Sequence, residues 1–197
     1  RRTRHLLDAR ELSPASAMIA AMPMRLVSII LAALLLPGGT AAAQTMAFAC
    51  PEPGTIFTYD SGTRVVSRGQ DGLDCNMDRV DGAPFKLRAL LFDNPSPEGN
   101  DTSAFIAALR PERLWPLEVG KKIEARYSVG GHIWTYTLAV VRAEKRPGPG
   151  RAMIDTFLVE MNEAGDKGQR SISRWWISPA DRFAIRYDFS DGAGKAN

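Results

Sequence analysis

The stretch "KKIEARYSVGGHIWTYTLAV", residues 121–140, decides the fold class. Gly130-Gly131 is a two-residue loop that accepts positive φ at both positions, the requirement of a tight β-hairpin turn. Pairing outward from it sets Tyr127 opposite Trp134, Ala125 opposite Tyr136 and Ile123 opposite Leu138. The other face pairs Arg126 with Thr135 and Glu124 with Thr137. Both strands therefore place apolar residues on one face and mostly polar ones on the other, the period of two that marks a half-buried strand.

A second hairpin is expected in "SISRWWISPADRFAIRYDF", residues 171–189. A five-residue loop, "SPADR", pairs Ile177 with Phe183 and Trp175 with Ile185. Phe183, Ile185, Tyr187 and Phe189 then join Trp175 on the buried face. Arg174, Trp176, Ala184, Arg186 and Asp188 occupy the other. Adjacent strand residues point to opposite sides, so Trp175 is expected inside and Trp176 outside, with a slip of one residue exchanging them. This register sets Arg174 directly opposite Arg186, a like-charged pair. The indole of Trp176 serves either as a cation–π cover for its arginines or as an anchor for a partner.

The same period predicts strands at Thr55–Tyr59, Arg64–Ser67, Phe85–Phe92 and Ala152–Met161. Ser61-Gly62 turns between the first two, and "EKRPGPGR" precedes "AMIDTFLVEM". One segment, "NDTSAFIAALRPERL", reads as a short helix capped by Asp101 or Thr102 and limited by Pro111, with Phe105, Ala108 and Leu109 on one face. No linker divides the chain after residue 44. Residues 44–189 form a single β-rich domain of roughly 150 residues, enough to bury a core, and 190–197 form a flexible tail.

Ahead of that domain, "MRLVSIILAALLLPGGTAAAQ" places Arg25 before an apolar run from Leu26 to Leu36, then a Pro-Gly-Gly break and Ala41-Ala42-Ala43. These are the marks of a secretory signal peptide at residues 24–43. The run falls short of the ~20 residues of a membrane span, so no integral membrane segment is expected after processing. Residues 1–23 read as an upstream extension without a fold, outside the mature protein, with Met18, Met22 and Met24 as candidate starts. Cleavage after Ala43 removes five arginines (1, 2, 4, 10 and 25) with Asp8 and Glu11. The chain's 25 basic and 22 acidic residues thereby become 20 and 20. A neutral mature chain lacks the basic footprint of a nucleic-acid binder. Cys50 and Cys75 are an even pair in an oxidising compartment, which favours a disulfide over a lipidated Cys50 or two free thiols. The expected location is periplasmic or secreted.

Few residues promise chemistry. His132, the only histidine after processing, stands beside the Gly-Gly turn and reads as a turn residue near solvent. Asp74, Asn76 and Asp78 alternate as in a calcium loop, but Arg79 and Phe85 stand where Gly and Glu are needed. That segment reads as turn-rich and solvated, held by Cys75. No phosphate loop, dinucleotide fingerprint, CxxC pair or nucleophile elbow occurs, so no cofactor is assigned. What recurs is aromatic: Tyr127, Trp134, Tyr136, Phe157, Trp175 and Trp176 lie on alternating strands. Aromatics fill β cores, and a curved sheet can also leave such a face open as an apolar groove.

"RLWPLEVGKKI", "AMIDTFLVE" and "RWWISPADRFAIRY" together resemble an exported β-domain family of unknown function from Gram-negative bacteria. In that family a Trp-Pro-Leu-x-x-Gly-Lys entry precedes strands, an Asp-Thr-Phe strand follows, and a Trp-x-Ser-Pro hairpin comes late. The similarity spans about Leu114 to Tyr187. It implies a periplasmic, mainly β, antiparallel meander forming a partly open barrel, similar in outline to lipoprotein-carrier half-barrels, and transfers no catalytic residue. The expected function is an envelope protein that binds an apolar ligand or an envelope protein through a sheet face, with Tyr127, Trp134, Tyr136, Arg174, Trp176 and Arg186 as candidate binding residues. The alternative is an envelope hydrolase whose acidic or hydroxyl groups converge only in three dimensions.

Overall fold

The computed structural model describes residues 3–6, 45–94, 101–148 and 152–192. The expected signal peptide at 24–43, most of the upstream extension, and residues 193–197 of the expected tail lie outside the described residues. The architecture is mainly antiparallel β, with one short helix and a sheet curled into a half-barrel.

In chain order the strands begin with β1 (Thr3–Leu6), β2 (Thr45–Met46), β3 (Ile56–Tyr59), β4 (Arg64–Asp71), β5 (Asp74–Arg79), β6 (Pro84–Arg88) and β7 (Phe92–Asn94). Helix α1 (Asp101–Leu109) and a 3₁₀ turn (Pro111–Leu114) follow. The chain continues through β8 (Leu117–Glu118), β9 (Lys122–Val129), β10 (His132–Pro147), β11 (Met153–Gly165), β12 (Arg170–Ser178) and β13 (Phe183–Asp191). Six strands form one sheet in the order β1-β3-β4-β5-β6-β7, and five form another in the order β13-β12-β11-β10-β9. β2 and β8 make a short separate ribbon.

The β9–β10 hairpin has the register read from its glycines: Tyr127 faces Trp134, Ala125 faces Tyr136 and Ile123 faces Leu138. Gly130 and Gly131 take φ of 57° and 78°, the left-handed region that a side chain disfavours. A bulge between Val140 and Arg142 bends the long β10 against β11, as an unpaired residue does. The two larger sheets share one core, with Phe57 of β3 stacked on Phe183 of β13 at 4.1 Å and Phe92 of β7 edge-on to Trp175 of β12 at 5.6 Å.

Cys50 and Cys75 are bonded, with Cα atoms 5.4 Å apart, and both are buried. The Cys50 N–H also donates to Gln70 Oε1 of β4 at 3.2 Å. The segment before β3 is thus tied to the middle of its sheet.

Several expectations need correction. Thr3–Leu6, expected to carry no fold, pairs in parallel with Ile56–Tyr59, because an edge strand presents unpaired backbone groups that any extended segment can meet. The acidic segment around Cys75 is strand β5, not a solvated turn: Cys75 and Met77 are buried, and Asp74 and Asp78 face Arg88 and Arg68 as ion pairs. The run Phe85–Phe92 breaks into β6 and β7 around a buried turn in which Ala89 and Leu90 take φ of 53° and 63°. Strand β13 reaches Asp191, so Ser190 and Asp191 belong to the sheet and not to a flexible tail. On α1, Ile106 is buried with Leu109, whereas Ala108 is exposed.

The largest correction concerns the second hairpin. Ser178 pairs with Phe183 and Ile177 with Ala184, then a bulge shifts the register so that Trp176 faces Arg186 and Trp175 faces Tyr187. The loop is four residues, closed by the Arg182 N–H donating to Ser178 O at 2.8 Å. Arg174 therefore faces Asp188 and not Arg186. The like-charged pair disappears.

Candidate functional site

The six candidate binding residues divide between the two faces of the five-stranded sheet. Tyr127, Trp134 and Tyr136 lie on the face shared with Leu138 and Ile123. Arg174, Trp176 and Arg186 lie on the other.

The outer group is a closed network. Trp176 is only 3% exposed, although it points away from Trp175. Its ring carries the guanidinium of Arg146 at 4.6 Å and that of Arg186 at 5.2 Å, and its Nε1–H donates to Glu144 Oε1 at 2.6 Å. Burial pushes the Glu144 carboxyl up, but the Arg142 hydrogen bond, the indole N–H and the charges of Arg142 and Arg146 together hold it below the usual range. Arg174 Nε donates to Glu160 Oε2 at 2.8 Å, and Arg186 donates twice to Asp188, at 3.1 Å each. Alternation thus holds, yet the outer tryptophan is covered by arginine stems and heads instead of standing in solvent. The expected exposure of Trp176 is corrected by that cover.

The inner aromatics are also partly covered. Phe105 of α1 lies over Tyr136 at 4.6 Å and reaches Tyr127 at 6.4 Å. Trp134, half-buried, lies against Gly165, where an added Cβ would come within 3.3 Å of its ring. Beside them, register sets Tyr136, Glu163, Ser171 and Asp191 in one row across the sheet. Burial pushes the Glu163 carboxyl up against a hydrogen bond from Ser171 that lowers it. Burial first, then the Glu163 charge and Tyr127, raise the Tyr136 phenol.

A cleft of about 280 Å³ lined mostly by polar residues includes Glu163, Ser171 and Asp191, and one lined mostly by apolar residues lies elsewhere. A cleft of about 290 Å³ runs between the two larger sheets, lined by Tyr59 of β3, Leu87 of β6, Leu90 and Leu91 of the buried turn, Trp175 of β12, and residues 183–187 of β13. Its floor is aliphatic and aromatic. Its rim carries two phenols, and Tyr187 is 49% exposed. The Tyr187 hydroxyl lies 3.3 Å from Ser173 Oγ.

The turn that supplies Leu90 is strained. A left-handed conformation disfavours residues with a Cβ by about 1–2 kcal/mol each, and Ala89 and Leu90 adopt it in succession. Three hydrogen bonds hold the turn: Ala89 N–H to Leu73 O at 2.8 Å, Leu91 N–H to Arg88 O at 3.1 Å, and Trp115 Nε1–H to Ala89 O at 3.2 Å. The result points two leucines at the cleft.

Chemistry is harder to assemble. His132 Nδ1 lies 3.5 Å from Asp166 Oδ1, and its Nε2 lies 3.2 Å from Lys167 Nζ. Both ring nitrogens thus face charged groups, and neither faces a hydroxyl or thiol. Among the described residues no three His, Cys, Asp or Glu side chains come together as metal ligands.

Sequence reading finds Trp175 as a core aromatic but misses Tyr59, Leu87, Leu90, Leu91 and Tyr187 as a lining. The available signal is the unalternated run "ALLF", residues 89–92, which breaks the period of its strand. No protein-family model, curated protein or solved structure matches the chain.

Proposed function

We propose that the protein is a non-enzymatic envelope protein that holds an apolar ligand in the cleft between Leu90 and Tyr187. The cleft carries the proposal: it is concave and mostly apolar, with two tyrosines among its lining residues, the usual composition of a small-molecule site. Its lining contains no acid–base pair and no activated nucleophile, which favours a binder over the hydrolase alternative.

The Cys50–Cys75 bond supports an oxidising location, periplasmic or extracellular. Among the described residues no helix is long and apolar enough to cross a membrane.

A neutral solvatochromic dye tests the binding. The wild-type protein is expected to take up one dye with a blue shift, and Ala184→Trp, which fills the cleft from its β13 wall, to lose that uptake while keeping its fold. Equal uptake by the two proteins would place the dye elsewhere and remove the proposal's basis.

A further inference from the structure

Resting on the proposed binding role, we infer that the cleft selects a single alkyl or acyl chain whose polar end is uncharged, such as an alcohol, ester or amide. It discriminates against free fatty-acid anions and alkylammonium ions.

Arg186 is the one charged side chain among the lining residues. Its guanidinium is already engaged by both carboxylate oxygens of Asp188, at 3.1 Å each, and lies over Trp176 on the opposite side of the strand. A bidentate carboxylate pair is among the stronger side-chain interactions. The guanidinium thus points away from the cleft, so an entering carboxylate would lose water without compensation, and an unpaired charge in an apolar site is unfavourable.

Cations fare no better. The aromatic rings here could hold an ammonium only through open faces. The Phe183 face is stacked on Phe57 at 4.1 Å. Trp175 is packed between Phe92 at 5.6 Å and Tyr187 at 5.4 Å. Tyr187 keeps part of its ring open at the surface, but no Asp or Glu side chain lines the cleft to balance an ammonium charge.

The rim supplies what an uncharged head needs. The phenol of Tyr187, half exposed and 3.3 Å from buried Ser173 Oγ, can donate or accept. It complements a hydroxyl, ester or amide without a net charge. A cleft of about 290 Å³ lies at the small end of ligand pockets. One unbranched medium-length chain fits that volume, and a two-chain lipid does not fit inside it.

The test uses the full chain near neutral pH and four probes that share one chain length: decanol, methyl decanoate, decanoate and decyltrimethylammonium. Calorimetry or dye displacement is expected to show both neutral probes binding about tenfold or more tightly than either ion. Decanoate or decyltrimethylammonium binding wild type as tightly as decanol would overturn the inference and leave the binding role intact. Failure of all four probes to bind would overturn the binding role itself, and this inference with it.

Discussion

Trp176 and Glu144 are joined across 32 residues of sequence by an indole N–H to carboxylate bond of 2.6 Å. The bond crosses the outer face of the sheet, where Arg146 and Arg186 both lie over the same indole. The second tryptophan of the pair is therefore structural on its own side of the sheet. Trp175 anchors the inner core and Trp176 organises the outer charge network.

Trp175→Ala and Trp176→Ala should then destabilise comparably, by about 3–5 kcal/mol each, the range for deleting a buried aromatic. Trp176→Phe keeps a ring for the arginines but leaves Glu144 without its indole donor. It should cost about 1.5–3 kcal/mol, the range for a hydrogen bond to a charged group. Urea denaturation of the three variants decides this. A Trp176→Ala protein as stable as wild type would show that the arginine cover carries no weight.

Stability should depend on pH through two glutamates with opposite signs. The folded state holds Glu144 below its ordinary value, so its contribution is present above the unfolded pKa and is lost as pH falls through the folded one. Glu163 is held above its ordinary value, so the fold favours its neutral form. That contribution is present below the unfolded pKa and is lost as pH rises through the folded one. Glu163→Gln should therefore gain stability relative to wild type as pH rises from the acid range toward neutrality. Glu144→Gln should lose stability relative to wild type over the same rise. Denaturant midpoints measured across that range test both signs, and two parallel curves would contradict them.

Reducing the Cys50–Cys75 bond opens a loop closed over a sequence separation of 25. Chain entropy alone assigns such a closure about 3.5 kcal/mol. Cys75→Ser should lower the unfolding temperature of the oxidised protein substantially, and a reductant should lower wild type toward the variant. Equal melting of oxidised wild type and Cys75→Ser would show that the bond adds nothing beyond the packing of Cys75 in β5.

These tests also mark where sequence suffices. The β9–β10 register is legible because both turn positions are glycine, so the loop length is visible. The β12–β13 register is not, because Arg182 takes φ of 52° in the turn, a conformation usually assigned to Gly or Asn. That choice shortens the loop, and the bulge beyond it reverses the expected charge pairing. The same blindness hides the Ala89-Leu90 turn, where an ordinary apolar run conceals two left-handed residues. The cleft is illegible for a further reason. Tyr59, Leu90 and Tyr187 stand far apart in sequence and meet only when the two sheets pack.

Leu90 therefore gives the most direct test of the cleft. Its side chain is almost fully buried, yet it lines the cavity floor. Leu90→Ala should destabilise by about 2–5 kcal/mol, as buried leucine truncations do. The same truncation deepens the floor. A longer neutral chain should gain relative to a shorter one, so the affinity ratio of dodecanol to decanol should rise in the variant. Stability and binding then move in opposite directions, which general loosening of the core does not produce. A fall in stability with an unchanged ratio would mean that Leu90 only fills the core, and that the ligand, if bound, rests on another wall.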